Sequence, residues 1–151
     1  MSLEIYKKKR DFDKTKEPLG KANKKIDKKL IFVIHRHEAS HLHWDLRLEM
    51  AGVLASWAVP KEPPTEKGVK RLAMHVEDHP LEYAKFHGEI PGGNYGAGKV
   101  EIWDNGTYEL LKKTKKEIEV IFHGRKLNGK YVLIKTNYGS RPEKSWLFFK
   151  V

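Results

Sequence analysis

The sequence predicts a mainly β fold: one antiparallel domain of barrel or sandwich type, with little helix, led by a basic N-terminal arm. Three observations point there. Residues 42–50 alternate strictly with a period of two, short apolar runs recur between Gly- and Asn-containing turns, and the composition changes abruptly near Leu30. Residues 1–30 are lysine-dense and poor in apolar side chains, with Lys7-Lys8-Lys9-Arg10 and Lys24-Lys25-Ile26-Asp27-Lys28-Lys29, and read as a basic arm. Residues 31–151 form the folded domain. Its first strand lies within 30–34, its second is the alternating run 42–50, and Ala51-Gly52 turns the chain into a third at 53–59. The Pro-, Glu- and Lys-rich stretch 60–68 reads as a surface loop. Strands follow at 71–76, 98–103, 106–111, 118–122, 129–136 and 146–151, with Asp104-Asn105-Gly106 and Leu127-Asn128-Gly129 as turns. Helix is confined to a turn or two within 112–119. Of the tryptophans, Trp44, Trp57, Trp103 and Trp146, at least three are expected in the core.

At 151 residues the chain is long enough for one domain with a proper core. Thirty Lys plus Arg against twenty Asp plus Glu give a formal charge of +10, which favours a polyanionic partner, nucleic acid first. The competing reading of that charge is a lysine-rich surface that only confers solubility. The lack of cysteine excludes disulfides, zinc–thiolate sites and thiol nucleophiles, so any metal must use His, Asp or Glu. With neither a long apolar run nor an apolar segment behind the N-terminal lysines, the expectation is a cytoplasmic protein that does not engage a membrane.

Chemistry concentrates in His35-Arg36-His37-Glu38-Ala39-Ser40-His41-Leu42-His43-Trp44-Asp45-Leu46-Arg47, which holds four of the eight histidines. The alternation puts Leu42, Trp44, Leu46 and Leu48 on one face and His43, Asp45, Arg47 and Glu49 on the other. Imidazole and carboxylate are ordinary ligands of a borderline divalent cation, and His37 has the parity to join His43 and Asp45. Three protein ligands leave room for water or a phosphate oxygen, as in catalytic sites. The alternative is a solvated strand face whose histidines bind nothing. The glycines of 86–98 suggest a phosphate loop, but the Lys-Ser/Thr ending of a Walker loop is absent, and they suit a barrel corner instead.

The motifs resemble the 3′-phosphoesterase domain of the bacterial end-joining DNA ligase called ligase D. The resemblance covers nearly the whole chain. It runs through Lys9-Arg10-Asp11-Phe12, Thr15-Lys16-Glu17-Pro18, the segment from His35 to Arg47, Trp57-Ala58-Val59-Pro60-Lys61, Arg71-Leu72-Ala73-Met74-His75-Val76-Glu77-Asp78-His79-Pro80-Leu81-Glu82-Tyr83 and Pro91-Gly92-Gly93-Asn94-Tyr95-Gly96. One departure is His35, where the resemblance leads one to expect glutamine. What it implies is a stand-alone, monomeric β-barrel enzyme that uses Mn2+, or another divalent ion such as Co2+ or Zn2+, to heal 3′ ends of DNA or RNA. Such an enzyme removes a terminal ribonucleoside as a phosphodiesterase and then the 3′-phosphate as a phosphomonoesterase. The 3′-OH left behind serves a ligase or repair polymerase acting in trans.

The resemblance also distributes roles. His37, His43 and Asp45 hold the metal, and Arg47 clamps the phosphate, a task that suits a planar guanidinium making a bidentate contact. His79, after Glu77-Asp78 and before Pro80, sits at a strand end or loop and is expected to touch the scissile phosphate and protonate the leaving oxygen. Tyr83, Lys61 and Arg71 are expected to line the anion pocket. Arg10, Asp11 and Glu17 of the arm are expected to serve ribonucleoside removal. Two other classes compete: a non-catalytic nucleic-acid-binding barrel, and an iron oxygenase with His43, Asp45 and a distant histidine such as His123 as its triad.

Overall fold

The computed structural model describes residues 29–90 and 98–151, which form nine strands. They are β1 (Leu30–Glu38), β2 (Leu42–Met50), β3 (Val53–Val59), β4 (Lys70–His79), β5 (Gly88–Ile90), β6 (Gly98–Lys113), β7 (Glu117–Gly124), β8 (Asn128–Lys135) and β9 (Ser145–Lys150). Eight of them run in the order β1-β2-β3-β4-β9-β8-β7-β6 and close into an antiparallel barrel, because the long β6 pairs back onto β1. Closure removes the unpaired edges that an open sheet would expose. β5 adds onto the start of β6, outside the ring. The helical content among the described residues is two short 3-10 turns, Leu81–Lys85 and Pro142–Lys144.

The β2–β3 hairpin shows how local sequence sets register. Ala51 and Gly52 both adopt positive φ, 52° and 84°, as a two-residue hairpin turn of the twist-matching kind requires. The register that follows sets Asp45 opposite Ala58 and Arg47 opposite Ser56. On β1 and β2 one face carries Phe32, Ile34, Trp44, Leu46 and Leu48 into the apolar core, and the other carries His35, His37, Asp45 and Arg47. Phe122 lies deep in that core, its ring 4.5 Å from Phe32 and 5.1 Å from Tyr131. Trp44, Trp57 and Trp146 are buried, as expected, while Trp103 is partly buried and lies under the Lys126 ammonium, 4.5 Å away.

Several sequence expectations are corrected. Asp104-Asn105-Gly106 is not a turn: 98–103 and 106–111 are one continuous strand, with an irregularity where its pairing to β1 shifts between Ile34 and His35. Residues 112–119 are not helical but span the end of β6, a turn closed by Thr114, and the start of β7. Asn128-Gly129 opens β8, and the turn lies just before it. Loop 60–68 is only partly superficial, since Pro63 and Pro64 are buried and the Tyr131 hydroxyl donates to the Pro64 carbonyl at 2.7 Å. Near the barrel closure, a Cβ on Gly98 would lie 2.0 Å from the Glu38 carbonyl oxygen, so this glycine permits β6 to approach β1.

Asp104 owes its place to that continuous strand. Its carboxylate, fully buried, accepts from the backbone N–H groups of Arg125, Lys126 and Leu127 at 2.9, 3.1 and 2.9 Å, and so holds the β7–β8 turn. Removing it strands the buried Leu127 N–H and two part-buried donors. Asp104→Ala is therefore expected to destabilise the protein by about 3 kcal/mol, measured by urea unfolding. A loss below about 1 kcal/mol would show that the turn holds without the carboxylate.

Candidate metal centre

The three-residue connection between β1 and β2 sets His37 directly opposite His43 and His35 opposite Asp45. Facing pairs on an antiparallel ladder bring their side chains together, and the rings of His37 and His43 lie 4.8 Å apart. One oxygen of Asp45, Oδ2, is 3.3 Å from His43 Nε2 and 3.7 Å from His37 Nδ1, and the three prospective ligand atoms lie within 4.8 Å of one another. The strand face is not solvated at its carboxylate and guanidinium, because Asp45 and Arg47 are only 6% and 4% exposed.

The donor chemistry fits a cation. His43 Nδ1 donates to the His41 carbonyl at 3.1 Å, which leaves Nε2 as the atom turned toward Asp45. A neutral imidazole would then set a lone pair against a carboxylate oxygen at 3.3 Å, a contact that needs a proton or a metal ion between the two atoms. The hydrogen bond to Asp45 accordingly raises the His43 pKa above its ordinary value, against the opposing pull of burial. Burial alone would raise the Asp45 pKa, but the His43 hydrogen bond and the Arg47 charge outweigh it and hold the carboxyl below its ordinary range. These three residues could hold one divalent ion with positions left open.

Arg47 lies beside this cluster and is heavily committed. Its Nη2 faces Asp45 Oδ2 at 3.3 Å, Nη1 donates to Ser56 Oγ at 2.9 Å and to His79 Nδ1 at 3.1 Å, and Nε donates to His35 Nδ1 at 3.2 Å. The hydrogen bonds at Nε and Nη1 leave Nη2, which faces Asp45 as an ion pair, as the nitrogen outside them among the described residues. The expected bidentate clamp is thus not available without exchanging a partner. The Tyr83 ring lies beneath, 5.0 Å from the guanidinium carbon, and stacks on Phe86. Burial raises the Tyr83 pKa, so its hydroxyl keeps its proton at neutral pH.

His79 ends β4, as its flanking residues led one to expect, with its ring 5.0 Å from that of Tyr83. Burial first and the Arg47 charge second lower its pKa. Its Nδ1 also lies 3.2 Å from the Glu77 carbonyl, so one nitrogen faces a donor and an acceptor, and its protonation selects between them. Lys61 is exposed just beyond β3, and Arg71 donates from Nε to the Glu62 carbonyl at 2.9 Å. On β4, Arg71 has the parity of core residue Ala73 and of His75, which stacks on Trp57, whereas Met74 and Val76 have the parity that faces Ala58 and Ser56. Neither Lys61 nor Arg71 is joined to the His–Asp cluster. Arg10, Asp11 and Glu17 lie outside the described residues. His123, the distant histidine of the oxygenase alternative, pairs instead with Glu109 at 2.6 Å on an exposed part of β6 and β7.

Sequence reasoning did not single out Ser56 and noted His35 only as a departure from the expected glutamine, without a role. Both were within reach: His35 has the parity of His37, and a two-residue turn at Ala51-Gly52 sets Ser56 opposite Arg47.

Comparison with known proteins gives this geometry a context. Residues 35–135 match the family described as DNA Ligase D 3′-phosphoesterase domain. The multifunctional non-homologous end joining DNA repair protein LigD of Mycobacterium tuberculosis is 50% identical over 139 residues, covering 89% of this chain and 18% of that protein. The non-homologous end joining protein LigD of Pseudomonas aeruginosa is 44% identical over 154 residues, covering 98% of this chain and 18% of that protein. Its counterpart in Mycolicibacterium smegmatis is 46% identical over 156 residues, with 96% and 20% covered. The chain thus spans about a fifth of the length of these relatives. A match over most of the barrel, which includes the His–His–Asp hairpin, shows that this chain belongs to the DNA ligase D 3′-phosphoesterase domain family.

Proposed function

We propose that the protein is a divalent-metal-dependent 3′-phosphoesterase of nucleic-acid ends. It removes a 3′-terminal ribonucleoside as a phosphodiesterase and then the remaining 3′-phosphate as a phosphomonoesterase. The resulting 3′-OH is the substrate that a ligase or polymerase in trans would require. The observation that carries this reading is the convergence of His37, His43 and Arg47 on Asp45, a metal donor set beside a guanidinium, in a chain of this family.

His37, His43 and Asp45 would hold the ion, with Mn2+ as the first choice and Co2+ or Zn2+ as alternatives. Bound there, it supplies Lewis-acid neutralisation of phosphate oxygens and acidifies a water molecule. Asp45 and Arg47 cancel in charge, so a cation held beside them leaves the site with a net +2, matched to a terminal phosphate dianion. Arg47 offers Nη2, the nitrogen outside its hydrogen bonds, to a phosphoryl oxygen. His79, when neutral, accepts from Arg47 at Nδ1 and can offer its Nε2–H as a hydrogen bond to a phosphate oxygen; protonating a leaving oxygen would take its imidazolium form, whose Nδ1–H has the Glu77 carbonyl as acceptor. Tyr83 contributes a protonated hydroxyl at the same edge. Lys61 and Arg71 act, in this reading, on substrate beyond the cluster. Arg10, Asp11 and Glu17 favour ribonucleoside removal over phosphate removal.

A triad of two histidines and a carboxylate also occurs in non-haem iron oxygenases. The buried guanidinium locked onto the carboxylate ligand favours phosphate over a dioxygen substrate. A purely backbone-binding barrel needs surface charge, but not this buried convergence.

The direct test incubates pure protein and Mn2+ with a primer–template whose primer ends in one ribonucleotide and weighs the products. Sequential loss of a ribonucleoside and then a phosphate is expected, whereas an unchanged primer would end the proposal. Since His43 is partly exposed and outside the core, His43→Ala is expected to abolish turnover, and also the Mn2+-induced rise in melting temperature, at a cost of less than about 1 kcal/mol. Asp45→Ala should lose about 3 kcal/mol as well, because it leaves Arg47 buried without its counter-ion, and urea unfolding distinguishes the two variants.

Metal binding requires neutral His43, so protons compete with the ion. Even an unperturbed histidine would weaken binding about fourfold between pH 8 and pH 6. Because the His43 pKa is raised, the expected loss on acidification is larger than that. Manganese titration followed by electron paramagnetic resonance at both pH values checks it, and pH-independent affinity would remove His43 from the ligand set.

A further inference from the structure

We propose that His35 is a positioning residue for Arg47: it takes the Nε–H of the guanidinium while tethered to the Phe86 carbonyl, and so fixes Nη2 as the nitrogen that remains for substrate. This rests on the phosphoesterase reading for its consequence, but not for its geometry. His35 is fully buried and is not among the prospective metal ligands. Its Nε2 lies 2.9 Å from the Phe86 carbonyl, which can only accept, so Nε2 carries the hydrogen. Its Nδ1 lies 3.2 Å from Arg47 Nε, which can only donate, so Nδ1 is bare. Both contacts are satisfied by one neutral tautomer, and by neither the other tautomer nor the imidazolium.

The guanidinium is thereby held at three sides. His35 blocks the fork formed by Nε and Nη2, Ser56 and His79 occupy both Nη1 hydrogens, and Asp45 faces Nη2 as an ion pair at 3.3 Å. The same imidazole anchors the segment after the Leu81–Lys85 turn, which carries Tyr83 beneath the guanidinium and Phe86 stacked on Tyr83. The His35 and Tyr83 rings also meet edge-on at 5.3 Å. Any replacement must donate at one end and accept at the other. A glutamine carboxamide does both, and leucine does neither.

The test uses the full chain and three samples: wild type, His35→Gln and His35→Leu. Nitrogen–proton correlation spectra of the wild type should show His35 protonated on Nε2 alone and a slowly exchanging Arg47 Nε–H at neutral pH. A His35 ring protonated on Nδ1 would overturn the proposal whatever the variants do. His35→Gln should keep the slow Arg47 signal and His35→Leu should lose it, with Mn2+ affinity unchanged in both. An Arg47 signal equally protected in His35→Leu would also overturn it. On a primer bearing a 3′-phosphate, His35→Leu should lower kcat/KM about tenfold, mainly through kcat, and His35→Gln should stay within about threefold of wild type. A glutamine variant as poor as leucine counts against positioning. Absence of turnover in all three would refute the phosphoesterase reading, while the spectra would still decide the role of His35.

Discussion

The ion pair between Asp45 and Arg47 is the constraint around which the rest of the site is arranged. A carboxylate and a guanidinium two residues apart on one strand face, both nearly removed from water, cost more in desolvation than their mutual attraction returns unless further polar groups complete their shells. Those groups are His35, Ser56 and His79 on the guanidinium side and His37 and His43 on the carboxylate side. A pair embedded this way is poor at adding stability and good at holding geometry. Each member has few alternatives that do not strand a buried charge.

The barrel makes that arrangement possible because it separates the two jobs of β2. One face of the strand contributes Trp44, Leu46 and Leu48 to an apolar core, which holds the backbone rigid. The opposite face carries the polar cluster, partly covered by Tyr83 and Phe86. A slip of one residue would exchange the faces, burying charges in the barrel interior and exposing leucines. The register therefore has to be enforced from outside the site, and three features enforce it: the Ala51-Gly52 turn, the glycine at 98 that lets β6 meet β1, and the Asp104 carboxylate that closes the β7–β8 turn. Chemistry at Asp45 thus depends on residues that never touch it.

How much of this was legible in the sequence follows from how local each signal is. Period-two alternation and a two-residue turn are local, so β2, β3 and their connection are readable to the residue, as is the grouping of His37, His43 and Asp45. The Asp104-Asn105-Gly106 run has turn composition, but tertiary pairing to β1 on one side and to β7 from Gly106 onward on the other keeps it extended. The 112–119 stretch has charges that suit a helix or an exposed hairpin equally, and only its partner strands decide. Donor accounting around Arg47 is invisible in one dimension, because it needs His79 from β4 and His35 from β1 at the same time. The same holds for Arg71, whose type suits an anion pocket but whose β4 parity is that of the core face.

The crowding of Arg47 bears on how a single site could serve both a diester and a monoester. A fork-on-fork arginine grips a phosphate by two oxygens and so fixes its rotation about one plane. An arginine that presents only one nitrogen fixes a single oxygen and leaves the rest of the phosphate to turn about it. The two esters differ in the substituent on the far oxygen and in charge, not in the oxygen that such a donor would hold. His79 meets the same requirement from the other side, since its Nδ1 is anchored through Arg47 when neutral and through the Glu77 carbonyl when protonated. A guanidinium immobilised by its neighbours, rather than by its ligand, is what a site needs if the ligand is to change between two steps while the site stays as it is.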